Sequence, residues 1–344
     1  MDILRAVALG LPPLRRLRDA RDALLRERDR LSAGLAICER RLAQSSSPFL
    51  HYNAAFDPIA VMRRHAATGV LASPDYLTNF LGVRIDPRFF PDLLRGRAGE
   101  IEPIPIPANW HADIAEWGAA LRAVDLARGR FTVIELGCGW GCWINNTGAA
   151  ARRAGLDVHL IGVEGDAEHL EFAREACAAN GFSDMQVTLR RGIVAPEAGS
   201  ALFPRTAQDG QAQAGLNWGA EPIFGATDAQ RREALHSGSH DELPMIALDA
   251  LAAPHARIDL LHIDIQGGEV GFIKGCLPVM QEKVAYCLVG THSRSIEGRA
   301  IDLFLAAGWK LEIERPGIFV LDDGVQRLTV DGVQGWRNPR LDRG

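Results

Sequence analysis

No stretch of the chain is long and apolar enough to cross a membrane, and its first residues lack the apolar core of a signal peptide. Cysteine is sparse and scattered. Cys38, Cys138, Cys142, Cys177, Cys276 and Cys287 form no C-x-x-C pair, which argues against a zinc knuckle or a disulfide framework. A reduced, cytoplasmic setting is the resulting expectation. Excess positive charge is missing as well: a formal net charge of −5 gives no reason to expect nucleic acid as the main partner. The three tyrosines, Tyr52, Tyr76 and Tyr286, begin no Tyr-x-x-x-Lys pair of the kind an oxidoreductase or epimerase would use. What is left is ordinary globular composition, 47% apolar and 24% charged, over 344 residues. That length suffices for one large or two modest domains with a real core.

The most informative stretch is Phe131–Gly141, FTVIELGCGWG. A β-branched run, Thr132 to Ile134, ends in Glu135 and then in glycines at alternate positions, Gly137, Gly139 and Gly141. It reads as a buried parallel strand turning sharply into a helix, the place where doubly wound sheets bind nucleotides. A dinucleotide fingerprint would need glycine where Cys142 stands. An acid two residues before the first glycine instead suits the α-amino group of S-adenosylmethionine. Glu164, at the tip of the next strand, is placed for the ribose hydroxyls, and Asp166 for capping the helix that follows.

Around this turn the chain divides into four expected regions. Residues 1–47 hold a helix, about 14–44, with Leu17, Leu24 and Leu31 seven apart and Leu14, Leu35, Cys38 and Leu42 extending the pattern. This narrow stripe points to a coiled coil and a homodimer. A helix packed on its own domain is the alternative, as is one lying on an anionic surface, because ten arginines face six acids in residues 1–44. Residues 48–128, rich in proline, read as a cap on the substrate side. Residues 129–322 alternate strand and helix, an α/β doubly wound Rossmann-like sheet closing with Trp309–Ile313 and Ile318–Leu321. Within it, residues 195–245 read as an irregular insertion, and 323–344 as a C-terminal tail.

A second constellation lies in Ile258–Glu269, IDLLHIDIQGGE. His262 and Asp264 are two apart on an otherwise apolar strand, so they share one face and must be paired or used. Glu269 falls in the first turn of the next helix, where a carboxylate acts as a cap. The succession ALDALAAPHARIDLLHIDIQGGEVGFIKGCLPVM, a strand ending near His292, and Gly308-Trp309 resembles the FkbM family of S-adenosylmethionine-dependent methyltransferases. Leu248, Asp249, Ile263, Asp264, Gly267, Glu269, Lys274, Gly275 and His292 match the family's pattern over about residues 130–321. His262 stands in place of its lysine, Gln266 in place of a glutamate, and Gly290 in place of the acid before His292.

The resemblance implies a class I methyltransferase fold and O-methylation of a hydroxyl, on a sugar of a surface glycan or on a secondary metabolite. The expected cofactor contacts are Glu135, Gly137, Cys138, Gly139, Gly141, Glu164 and Asp264, with Trp140 beside them and Trp143 in the core. The expected catalytic set is His292 as base, Asp264 orienting it, and His262 either a second base or a core histidine paired with Asp264. No metal is expected; a divalent ion on His262, Asp264 and His292 is the alternative. Arg294 and Arg299 read as surface arginines that could meet an acidic acceptor. Two other functions remain open: a nucleotide-binding oxidoreductase or epimerase, and a coiled-coil assembly protein that keeps the sheet as scaffold.

Overall fold

A computed structural model describes residues 12–45, 47–205, 219–322 and 324–342. The chain separates into two compact units, ending and beginning at residues 50 and 51. The first is dominated by helix α1, Pro12–Ser45, about 51 Å long at the α-helical rise. Leu17, Leu24, Leu31 and Leu35 are all exposed along it. The side chains of Leu14, Cys38 and Leu42 lie outside the described residues. Among the described residues no helix is long and apolar enough to cross a membrane.

The second unit runs, in chain order, β1 (Asn53–Ala54), α2 (Pro58–His65), β2 (Leu77–Thr78), β3 (Arg84–Ile85), α3 (Pro91–Leu94), α4 (Ile114–Leu126), β4 (Arg130–Leu136), α5 (Cys142–Arg153) and β5 (Asp157–Glu164). There follow α6 (Ala167–Ala179), β6 (Val187–Arg191), β7 (Ile193–Ala195), β8 (Gly199–Pro204), α7 (Asp228–Ser237), β9 (His240–Ala247) and α8 (Leu248–Ala252). The remainder is β10 (Leu260–Ile263), α9 (Glu269–Lys283), β11 (Tyr286–Thr291), α10 (Arg294–Ala306), β12 (Lys310–Arg315), β13 (Ile318–Asp322), β14 (Val325–Val330) and β15 (Gly332–Arg337).

The main sheet has the order β1-β12-β15-β11-β10-β4-β5-β6. From β11 to β6 every pairing is parallel. Such strands are covered on both faces, which is why Phe131, Val133, Ile134 and Leu136 on β4 and Leu260, Leu261 and Ile263 on β10 are all buried. The expected α/β doubly wound sheet is therefore present. Strand order reverses between β4 and β10, so a crevice opens at their carboxyl ends, at a topological switch point.

Three regions differ from the sequence expectation. Ile318–Asp322 does not close the sheet; it pairs with β14 as a separate ribbon. The strand that enters between β11 and β12 is β15, antiparallel to both, from the stretch read as a tail. Its two glycines hide it from a strand-propensity reading. Tertiary packing crowds both: a Cβ on Gly332 would collide with the buried Glu297 and Thr291 side chains, and one on Gly335 would lie 2.6 Å from Ile313 and 2.7 Å from the Tyr286 hydroxyl. Residues 193–247 are not irregular throughout: β7, β9 and β8 form a small sheet with its own core of Ile193, Ala201, Phe203 and Leu243. Residues 206–218 lie outside the described part. The proline-rich region belongs to the same compact unit as the sheet. It adds β1 to the edge of the main sheet and lays α4, whose start is fixed by an Asp113–Glu116 capping box, against β11, β12 and β15.

Candidate active site

The β4–α5 connection folds back on itself with φ of +71°, +51° and +77° at Gly137, Gly139 and Gly141. Gly137 has a second constraint: a Cβ there would fall 2.1 Å from the backbone oxygen of Asp264. The turn and the end of β10 thus touch backbone to backbone. Glu135 is buried and accepts from the Trp143 and Ile144 amides at 3.0 and 2.9 Å, the first free donors of α5. Burial raises its pKa to about 8, against the pull of those two amides. Glu164 accepts from Gly139 and Asp166 amides at 2.9 and 2.8 Å, and burial raises its pKa also. Asp166 caps α6, as expected from the sequence. The two strand-tip acids therefore brace the turn while both line one cavity of about 820 Å³, together with Gly137, Cys138 and Gly139. Cys138 and Cys142 are buried, and burial raises both thiols well above their usual range.

One wall of this cavity is aromatic; the sequence pointed to Trp140 beside the cofactor but not to Phe90 or His111. Trp140 stacks on Phe89 at 5.9 Å, and His111 lies 5.9 Å from Trp140 and 6.0 Å from Trp143. Phe90 and His111 come from the proline-rich region and line the cavity. The Trp110-His111 pair directly after the proline run was the available signal. His111 has its pKa lowered to about 4 by burial, so it is neutral at physiological pH. Trp143 packs edge-on against Trp117 at 5.1 Å and still reaches the cavity.

The opposite end is polar. The chain leaves β10 through Asp264 and turns at Gln266, whose φ of +54° is the one positive value outside glycine among the described residues. That turn aims the amides of Ile265 and Gly267 at Glu269 Oε1, at 3.3 and 3.1 Å. Glu269 is fully buried at the start of α9, and its other oxygen has no hydrogen-bond partner. His292, just past β11, stands between acids: Nδ1 is 2.8 Å from Glu269 Oε1, and Nε2 is 3.2 Å from Asp264 Oδ1 and 3.8 Å from Asp331 Oδ2. The Asp264 contact is too poorly aligned to satisfy its buried Oδ1. Asp331 is held at the cavity by Arg315, which donates to its carbonyl at 2.6 Å. Burial opposes a proton on His292, but Asp264 and Glu269 outweigh it and raise the pKa to about 10. The same pairing lowers Asp264 despite its burial.

The structure thus brings Asp264 and His292 together, as expected, and adds Glu269 and Asp331. His262 lines the same cavity as Asp264. Alternation on β10 sets His262 beside Glu135, with which it is in register, and its Nδ1 lies 4.0 Å from Glu135 Oε1 without a hydrogen bond. Burial lowers His262 to about 4. Asp264, just past the last strand residue Ile263, still favours a proton on the His262 ring, but burial outweighs it. His292, as an imidazolium, already carries the proton that a neutral-pH base would have to accept.

No family model matches the chain. A relative from Jannaschia sp. (strain CCS1), described as "Putative methyltransferase", is 44% identical over 281 residues, covering 81% of this chain and 98% of the relative. Among solved structures, methyltransferase FkbM from Methylobacillus flagellatus KT aligns with 65% of this chain and 54% of its own, at 11% identity and a TM-score of 0.39. The C-terminal domain of precorrin-6Y C5,15-methyltransferase from Rhodobacter capsulatus aligns with 67% of this chain and 90% of its own, at 11% identity and a TM-score of 0.35.

Proposed function

The chain belongs to the methyltransferases, with a Rossmann-like class I sheet, and on that premise we propose that it methylates a hydroxyl oxygen with S-adenosylmethionine as donor. The acceptor in this reading is a sugar of a surface glycan or a secondary metabolite. One observation carries it: a single cavity joins the glycine turn and its two strand-tip acids to Asp264 and Asp331 at the other end. The residues fit the cofactor. Glycines keep side chains off the turn, Glu135 and Glu164 offer carboxylates at its two flanks, and the buried Trp140 indole N–H has no partner of its own. When bound, S-adenosylmethionine supplies an electrophilic methyl group on a sulfonium.

The protein's own work is positioning and control of the acceptor's proton. Glu135 accepts from an ammonium whose own charge favours its ionised form against burial, and Glu164 accepts from ribose hydroxyls. Trp140 and His111 line the part of the cavity that takes an acceptor of sugar size. Asp264 and Asp331 accept from its hydroxyl, while His292 and Glu269 fix Asp264 from behind. Of the two, Asp331 is the better proton acceptor, since burial raises its pKa and the His292 charge only partly reverses that.

Calorimetry with S-adenosylmethionine, S-adenosylhomocysteine and NAD tests the donor; binding of NAD alone would sink the reading. Labelled donor with fractionated cell extract, followed by NMR of the product, tests the atom methylated. A methyl on carbon or nitrogen would refute the hydroxyl assignment. In the same reading α1 pairs in parallel with α1 of a second copy, burying Leu17, Leu24 and Leu31. Light scattering on the full chain and on a chain lacking residues 1–50 should give a dimer and a monomer; equal masses would rule out that pairing.

A further inference from the structure

We propose that Asp264, Glu269 and His292 form a binding site for one divalent cation, placed at the polar end of the cavity so that its open positions face the acceptor. Each residue offers one donor atom, His292 after releasing its ring proton to solvent as the cation binds, and the three atoms lie within 4.8 Å of one another. Donors about 2.1 Å from a shared ion are at most about 4.2 Å apart, so small side-chain rotations complete the set. The donors come from three different places in the fold: the end of β10, the start of α9 and the residue after β11. The sheet and the Gln266–Gly267 turn hold these backbones in place, as a preorganised site requires.

A second observation is independent of the clustering. Glu269 is fully buried, yet one carboxylate oxygen has no hydrogen-bond partner, and Asp264 Oδ1 is likewise buried without one. Buried carboxylate oxygens are nearly always satisfied, and leaving two beside the same imidazole is costly. A cation satisfies both. It also relieves the crowding of negative charge, since Asp331 Oδ2 approaches His292 Nε2 to 3.8 Å from the cavity side.

Two carboxylates and one imidazole favour an oxygen-preferring ion that tolerates nitrogen, and Mn²⁺ is the probe of choice. With three protein ligands, positions stay open, and Asp264 and Asp331 line the cavity on that side. Two vicinal hydroxyls of an acceptor can fill them. The cation's role toward the acceptor rests on the methyl-transfer reading, whereas its binding does not.

The test uses the full chain, stripped with a chelator and titrated with Mn²⁺ by calorimetry and electron paramagnetic resonance, without donor or acceptor. One ion per chain is expected. Asp264→Asn and His292→Ala should each weaken binding by about 100-fold, comparable to or beyond the loss of an outer-sphere partner. The Asp264 side chain is 42% exposed, and binding by Asp264→Asn is measured well below that variant's own melting temperature, so lost binding there cannot be blamed on unfolding. Glu269→Gln is buried and is interpreted only where its melt matches the parent. No Mn²⁺ or Zn²⁺ binding, or binding unchanged in Asp264→Asn and His292→Ala, overturns the site. S-adenosylmethionine binding, measured separately on the stripped protein, tells failure of the cation site from failure of the methyltransferase reading.

Discussion

At the glycine-turn end of the cavity every group comes from two adjacent strand–turn–helix units, residues 135–144 and 162–166, whereas the polar end is assembled from Asp264, Glu269, His292 and Asp331 on separate segments. The first end recognises through backbone and through acids already satisfied by backbone amides. The second holds unsatisfied carboxylate oxygens around one imidazole. An end built locally can be kept by a short motif and serves a ligand of fixed shape. An end built from distant segments changes whenever one loop does, which suits the acceptor role proposed for it.

The largest effect separating the two ends is expected from His292→Ala. Turnover should fall about 10²-fold, because Asp264 loses the ring that positions it, with S-adenosylmethionine affinity within about twofold of the parent. Steady-state kinetics and calorimetry on one preparation check both; full activity would move the chemistry away from this cluster. Gly137→Ala should instead break both ends together, because its Cβ meets the Asp264 carbonyl and its φ is positive. A loss of about 3 kcal/mol in urea denaturation, with cofactor binding abolished, is expected. Binding kept at parental affinity would show that the two backbones can separate freely.

A pH experiment comes next in size. His262 sits at about 4 in the fold against about 6.5 unfolded, so between these values the unfolded chain binds more protons. Its contribution is complete above pH 6.5 and shrinks by ~3 kcal/mol as pH falls through 4. His292 has the opposite sign: its contribution is present below about 6.5 and is lost as pH rises through about 10. Glu135, raised to about 8, changes in the same range, so the parent alone does not isolate either histidine. The difference between parent and His262→Asn melts, followed from pH 7 to 4, should narrow toward acid; a constant difference would contradict the buried neutral ring. The smallest effect is at the aromatic wall. His111→Ala should raise the acceptor KM about tenfold, near 1.4 kcal/mol, and leave cofactor affinity unchanged. An unchanged KM would place the acceptor elsewhere.

How much of this was legible follows the same division. Glu135, Gly137, Gly139, Gly141 and Glu164 lie in two short motifs whose geometry is set by φ and by strand ends, and all of them but Gly141 line the cavity. His292 and Asp264 were found as strand-tip residues of a family-like pattern, and they meet. Glu269 was read as a cap; it does accept turn amides, but its bond to His292 depends on where α9 places it. Asp331 and β15 were hidden, because Gly332–Arg337 has little strand propensity and gains its place from pairing with two strands that precede it in the chain. His111 was hidden because no periodicity marks a loop residue that packs on tryptophans.

The sequence by itself determined the parallel sheet, the glycine turn and the acids that flank it, since each depends on neighbours within a few residues: apolar runs, positive φ, helix starts. It also determined that α1 would be a long helix with a leucine stripe. Only the tertiary structure decided that His262 faces Glu135 while Asp264 faces His292, that a late strand inserts into the sheet, and that a proline-rich loop walls the cavity. Those outcomes depend on sheet register and on contacts between residues far apart in the chain, which no local pattern encodes.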